Sequence, residues 1–219
     1  MAFDINGFNN VTSGAAASAR HYSYKTTSDT LATCLADDYF LDLGSALAAD
    51  DLVRVVASDG SGTFVVASAS SSTVVMGSSE GLAHLRVTVS SAEMLALATT
   101  AKELVPAPGS GKMALFDYAA LQVDYNSAAY AFSAPGSPDD LAVRYTNGSG
   151  VIVSSTITAS GFVTATADTT THAVALADAI VANSAAENKA LVLDNTGGNY
   201  TTGDSPVVVD VYYRVVAGV

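Results

Sequence analysis

Few stretches of this chain carry residue types that could do chemistry. The first is Gly109-Ser110-Gly111-Lys112, inside "LVPAPGSGKMALFDY". It reads like the end of a phosphate-binding loop, which needs a Gly, four residues, then Gly-Lys-Ser/Thr, opening a helix. Here the first glycine position is Pro106, and Met113 stands where a hydroxyl should hold magnesium. The segment that follows has strand character, so two prolines and two glycines describe a hairpin between strands. The second stretch, Gly77-Ser78-Ser79-Glu80-Gly81, matches Gly-x-Ser-x-Gly. A nucleophile elbow needs a helix after the serine. "LAHLRVTVS" follows instead and reads as strand, so a plain turn is expected.

The histidines, His21, His84 and His172, lie in separate segments without metal-ligand spacing. Calcium needs only oxygens, and "LDNTGGNYTTGD" offers Asp194, Asn195, Asn199 and Asp204, but not the spacing of a calcium loop. A glycan hydrolase would need two acids about 5–10 Å apart in a cleft. Asp117 and Asp124 lie seven apart in a strand-like run, an odd separation that sends them to opposite faces. No residue is assigned as catalytic, cofactor-binding or metal-binding. The reading is a non-enzymatic protein without cofactor.

Composition sets the elements that would hold any site. Of 219 residues, 49% are hydrophobic and 14% charged, so a core can be buried. The apolar residues are mostly Ala and Val, and Ser, Thr and Gly are abundant, which favours strands and tight turns. The net charge of −12 repels phosphate backbones and argues against nucleic acid as a partner. Adjacent acids occur at Asp37-Asp38, Asp50-Asp51 and Asp139-Asp140, and are expected on a solvated surface. Cys34 is the only cysteine, so no internal disulfide forms, and the thiol is expected to pack as a small hydrophobe. No signal peptide or membrane-spanning run is evident, and the chain is expected to be made in a cytoplasm.

Along the chain, residues 1–20 read as an N-terminal arm, with Phe3 and Phe8 as apolar anchors for a neighbouring molecule. Residues 21–90 read as a small antiparallel β domain. In "HYSYKT" Tyr22 and Tyr24 share a face. In "DDLVRVVAS" Leu52, Arg54 and Val56 oppose Val53 and Val55, with a turn at Asp59-Gly60. "SSAEMLALATTAKEL" predicts a short helix capped by Ser90 or Ser91, with Glu93 in its first turn, marking the boundary. Residues 91–219 read as a jelly-roll-like β-sandwich. Its strands are "KELVPA", "KMALFDYAALQVDY", "AYAFSA", "DLAVRYT", "GVIVSSTI", "GFVTATAD", "HAVAL", "KALVLDN" and "PVVVDVYYRVV". In the last, Val207, Val209, Val211 and Tyr213 oppose Val208, Asp210, Tyr212 and Arg214. "ADAIVANSAAEN" is a loop with one helical turn, and turns fall at 147–150, 195–198 and 202–204. The fold class is all-β with few short helices.

"APGSGK", "RYTNGSG" and "VYYRVV", with the segments around them over residues 95–217, resemble a family of tailed-bacteriophage virion proteins. "YSYKTTSDTLATCLADDYF" and "DDLVRVVASDG", after a "FDINGF" start, resemble a small β domain of phage structural proteins. The resemblance implies no catalytic residues. It implies a capsid decoration, or cement, protein on the outside of the virion. Its expected partners are the major capsid protein and other copies of itself, with a trimer favoured, and neither nucleic acid nor membrane. The alternative is a tail, baseplate or fibre component whose sandwich binds a receptor or glycan, lined by Tyr125, Tyr130, Tyr200 and Tyr212.

Overall fold

Alternating small aliphatic residues become strands wherever one face can be buried, and this rule builds most of the molecule. The computed structural model describes residues 3–11, 19–134, 137, 139–146, 149–177 and 181–218. Among these, the chain is all-β, with twelve strands and three short helices. No helix among them is long and apolar enough to cross a membrane. The chain divides into two compact units, residues 1–85 with 214–217, and residues 86–213 with 218–219. The division falls inside a strand rather than at the short helix after residue 90.

The first unit contains β1 (Phe8–Asn10), β2 (His21–Lys25), α1 (Leu31–Leu35), β3 (Leu52–Val56), β4 (Gly60–Ser70), β5 (Thr73–Ser79) and the start of β6 (Ala83–Val89). Its sheet runs β1-β2-β3-β4. Beyond β4 lie β5 and, against Gly60 and Ser61, residues His84 and Leu85 of β6. Alternation holds as expected: Tyr22 and Tyr24 of β2 and Val53 and Val55 of β3 are buried. The β3–β4 hairpin closes around Asp59, with Ala57 N–H donating to Gly60 O at 2.8 Å.

One pairing departs from the antiparallel expectation. β2 and β3 are parallel, His21 opposite Leu52 through Lys25 opposite Val56. Parallel neighbours require a long crossover, which residues 26–51 provide, including α1 and a 3₁₀ turn at Leu41–Leu43. Periodicity alone does not disclose α1. Its start signal is local: the Thr30 side chain accepts from Thr33 N–H, and Asp59 Oδ1 accepts from Leu31 N–H at 2.7 Å. Cys34 on α1 is fully buried, and burial pushes its thiol up to about 11.

The second unit opens with α2 (Ser91–Ala96), then β7 (Lys102–Val105), β8 (Lys112–Val123), β9 (Leu141–Tyr145), β10 (Thr169–Val174), α3 (Asn183–Ala186), β11 (Leu191–Asn195) and β12 (Val207–Ala217). Ser90 caps α2 in a reciprocal capping box with Glu93. β12 lies between β6 and β8, and β10 pairs with the other edge of β8. A separate three-stranded sheet runs β7-β11-β9. The result is sandwich-like. Every residue of β9 and β11 is buried, and the Tyr145 hydroxyl donates to Ala114 O of β8 at 2.8 Å. On β12, Val207, Val209, Val211 and Tyr213 are buried, as the alternation predicts.

Three expected strands do not form ladders. Residues 151–157 touch β9 only at isolated bridges, Ile152 with Arg144 and Ile157 with Leu141. The cause is side-chain competition. The Ser154 hydroxyl accepts from Val143 N–H at 2.8 Å, while the Val153 and Ser154 amides both donate to Val143 O. "GFVTATAD" instead forms turns around Gly161, whose φ is +77°. "AYAFSA" keeps one bridge, Ala131 with Thr202. In β8 the buried positions switch parity between Phe116 and Ala119, a change that strict alternation does not contain.

Candidate functional site

The Gly109–Lys112 loop is not a hairpin. It leaves β7 in one sheet and enters β8 in the other. Gly109 and Gly111 adopt φ of +96° and +71°, which glycine tolerates. Their amides are the donors that a phosphate would need. Gly109 N–H donates to Asn188 Oδ1 at 3.0 Å and Gly111 N–H to Glu187 Oε1 at 2.9 Å. The loop is stapled to the end of α3, and a strand rather than a helix follows it.

Ser79 ends β5 and is followed by β6, so the elbow geometry is missing. Its hydroxyl accepts from Val215 N–H at 2.9 Å and donates to Gly81 O at 3.0 Å, which makes it a backbone clamp. The histidines sit on different strands: His21 on β2, His84 on β6 and His172 on β10. Among the described residues, no group of three His, Cys, Asp or Glu comes together in a way that could hold a metal.

The loop of Asp194 to Asp204 is split among separate duties. Asp194 Oδ2 lies 3.0 Å from Arg144 Nε, and both side chains are buried. Burial pushes its carboxyl up, against the pull of Arg144. Asn195 Oδ1 accepts from Gly197 N–H at 2.8 Å, and Asn199 Oδ1 from Ala98 N–H at 2.8 Å. Asp204 accepts from the Ser127 and Ala128 amides and from the Ser127 hydroxyl. The Ser127 hydroxyl bond, then the Ala128 amide, lead the causes that lower its carboxyl.

The surface reading of the adjacent acids holds for Asp37, Asp38 and Asp50, which are exposed, and fails for Asp51 and Asp139, which are buried. Each pair supplies one residue with positive φ: Asp38 at +65°, Asp50 at +70° and Asp139 at +37°. Aspartate tolerates that region because its short side chain bonds locally. Asp38 Oδ1 accepts from Val74 N–H at 2.9 Å. Asp51 accepts from the Arg20 and Ala48 amides, each at 2.8 Å. Asp140 Oδ1 accepts from Ala159 N–H at 2.9 Å. Asp139 holds Gly198 N–H at 2.7 Å, the Ser133 amide, and the hydroxyls of Ser133 and Ser137. Burial would raise this carboxyl, but these donors outweigh it and hold it at about 2. Sequence reasoning missed these acids as turn locks. The available signal was each pair's place between periodic segments.

The four tyrosines considered for a receptor site do not line one surface. Tyr130 and Tyr200 are buried with ring centroids 5.4 Å apart. Their hydroxyls donate to Ser205 O and Asp139 O. Burial pushes both phenols well above the usual range. Tyr212 stacks on Tyr118 at 4.3 Å, and Tyr125 donates to Ser127 O in an exposed loop. Of the acids considered for hydrolysis, Asp117 is within β8 and Asp124 just beyond it.

Phe3 and Phe8 are placed together, on the chain's own first unit. Phe3 meets Tyr24 at 5.3 Å, Phe40 at 5.6 Å and Tyr39 at 6.1 Å. Phe8 stacks on Tyr22 at 5.0 Å. β1 pairs with β2, Phe8 opposite Tyr24 and Asn10 opposite Tyr22. Beneath the cluster the Tyr24 and Tyr39 hydroxyls are 2.8 Å apart, and Tyr39 donates to buried Asp29 at 2.8 Å. Beside β1 lies a polar cleft of about 420 Å³, lined by Asp4, Asn6, Gly7, Asn9, Lys25 and residues 26–29. Much of its polar lining is already bonded. Asp4 Oδ1 accepts from Asn6 N–H, and Thr26 Oγ1 from the Ser28 and Asp29 amides. Of the arm expected over residues 1–20, residues 1, 2 and 12–18 lie outside the described residues. Comparison with known proteins gives no match to a family model, a curated protein or a solved structure.

Proposed function

We propose that the chain is a non-enzymatic structural protein of a tailed-phage virion, a decoration protein that binds the outside of the capsid lattice as a homo-oligomer. One observation carries this reading. Several groups that looked reactive in the sequence, and one carboxylate expected on the surface, are bonded to the chain's own backbone and loops. The Gly109 and Gly111 amides, the Ser79 hydroxyl and the Asp139 and Asp204 carboxylates all act as staples. A fold whose polar chemistry goes into fixing loop shape suits a protein that works by presenting rigid surface. The motifs "APGSGK", "RYTNGSG" and "VYYRVV" add the phage assignment, and the chain's acidity suits an outer face that keeps particles dispersed. Repetition over a lattice would multiply weak contacts into firm attachment.

The test is sedimentation of purified full-length protein with purified heads that lack it. Saturable co-sedimentation at a fixed number of copies per head is expected. Co-sedimentation with tails alone would replace this reading with the tail or fibre alternative.

A further inference from the structure

We propose that the N-terminal segment, residues 3–10, is an exchangeable strand: the aromatic slot it fills in its own chain accepts the same segment of a second copy. The inference is independent of the virion role.

The slot is built for this segment. Its walls are Tyr22, Tyr24 and Phe40, all buried. Phe3 and Phe8 form the cover, and Phe3 reaches Tyr24, Tyr39 and Phe40 within 6.1 Å. Three residue pairs set the register: Phe8 with Tyr24, Asn9 with Ser23 and Asn10 with Tyr22. Gly7 fixes the approach, since a Cβ there would sit 2.4 Å from Lys25 O. If the segment leaves, buried rings and the β2 edge are laid open together. The filler that matches ring spacing, backbone register and the glycine approach is another copy of residues 3–10.

The connection permits the exchange. Antiparallel neighbours can be joined by a two-residue turn, whereas residues 11–20 lie between β1 and β2. Ten residues reach roughly 33 Å when extended. In sequence, "VTSGAAASAR" holds no residue larger than Val before Arg20. The strand pairing and ring contacts of residues 3–10 are the same in closed and exchanged forms, so crowding of copies favours exchange.

The experiment uses two full-length chains of different tag size, one Asn9→Cys and the other Ser23→Cys. These positions face each other across β1 and β2, at a separation that a disulfide spans. After mixing at high concentration and mild oxidation, a non-reducing gel should show a heterodimer joined between the two cysteines. Replacing Ser23→Cys by Lys25→Cys, two positions out of register, should abolish it. Phe3→Ala with Phe8→Ala in the Asn9→Cys chain should lower the yield at least about tenfold. The wild-type chain, with Cys34 buried, is the background control. The single chain carrying both Asn9→Cys and Ser23→Cys should close internally. Internal closure with no heterodimer in the mixture overturns the proposal. So does a heterodimer that ignores register or ring removal, and so does failure of the double variant to close, since the slot's register would then be wrong.

Discussion

At the scale of single residues, the acids determine loop shape. Asp139 is the clearest case, with two amides and two hydroxyls directed at one buried carboxylate. Glu93 is similar: the bond from Lys102 at 2.6 Å, then the Ser90 amide, hold it at about 2. Both folded values lie below the roughly 3.9 and 4.3 of unfolded Asp and Glu. In that window the unfolded chain binds more protons, so stability rises with pH. Their contribution is therefore complete above about pH 5 and lost as pH falls toward 2. Urea denaturation across that range should show the loss. Asp139→Asn should lower stability by about 2–3 kcal/mol at pH 7 and flatten the slope below pH 5. An unchanged slope would mean that this carboxylate does not hold the loop. Composition gave no hint of this, because counting acids says nothing about which amides they meet. Positive φ and amide capture are set by chain path, and the paired aspartates were a legible trace only of where turns fall.

At the scale of elements, period-two alternation was the most legible feature. Tyr22 with Tyr24, Val53 with Val55, and the Val207–Tyr213 series on β12 are buried as their spacing requires. The α2 cap was legible too, since Ser90 and Glu93 have capping-box spacing. β12 offers a direct check on adjacent residues. Val209→Asp puts a carboxylate into the core and should cost about 4 kcal/mol or more, or prevent folding. Val208→Asp, on the other face, should cost less than about 1 kcal/mol by thermal unfolding. Equal losses would mean that the strand's faces are misassigned. Pairing partners were not legible. The parallel β2–β3 neighbour relation and the passage of the Gly109–Lys112 loop between sheets depend on contacts distant in sequence. The broken ladder at residues 151–157 depends on one hydroxyl, Ser154, taking an amide that a strand would otherwise use.

At the scale of the molecule, the all-β class was legible from composition, while the destination of the terminal segment was not. Phe3 and Phe8 stood out as the aromatic residues of the terminal segment, expected to dock onto a neighbouring molecule. What they anchor to depends on Tyr39 and Phe40, over thirty positions away. The proposed role depends on the chain presenting shape rather than reacting. Cryo-microscopy of purified phage particles carrying this chain tests that most directly. The account predicts repeated density for it on the capsid exterior, at a fixed position in every lattice unit. Density confined to the tail, or no repeated density for the chain on the capsid exterior, would contradict it.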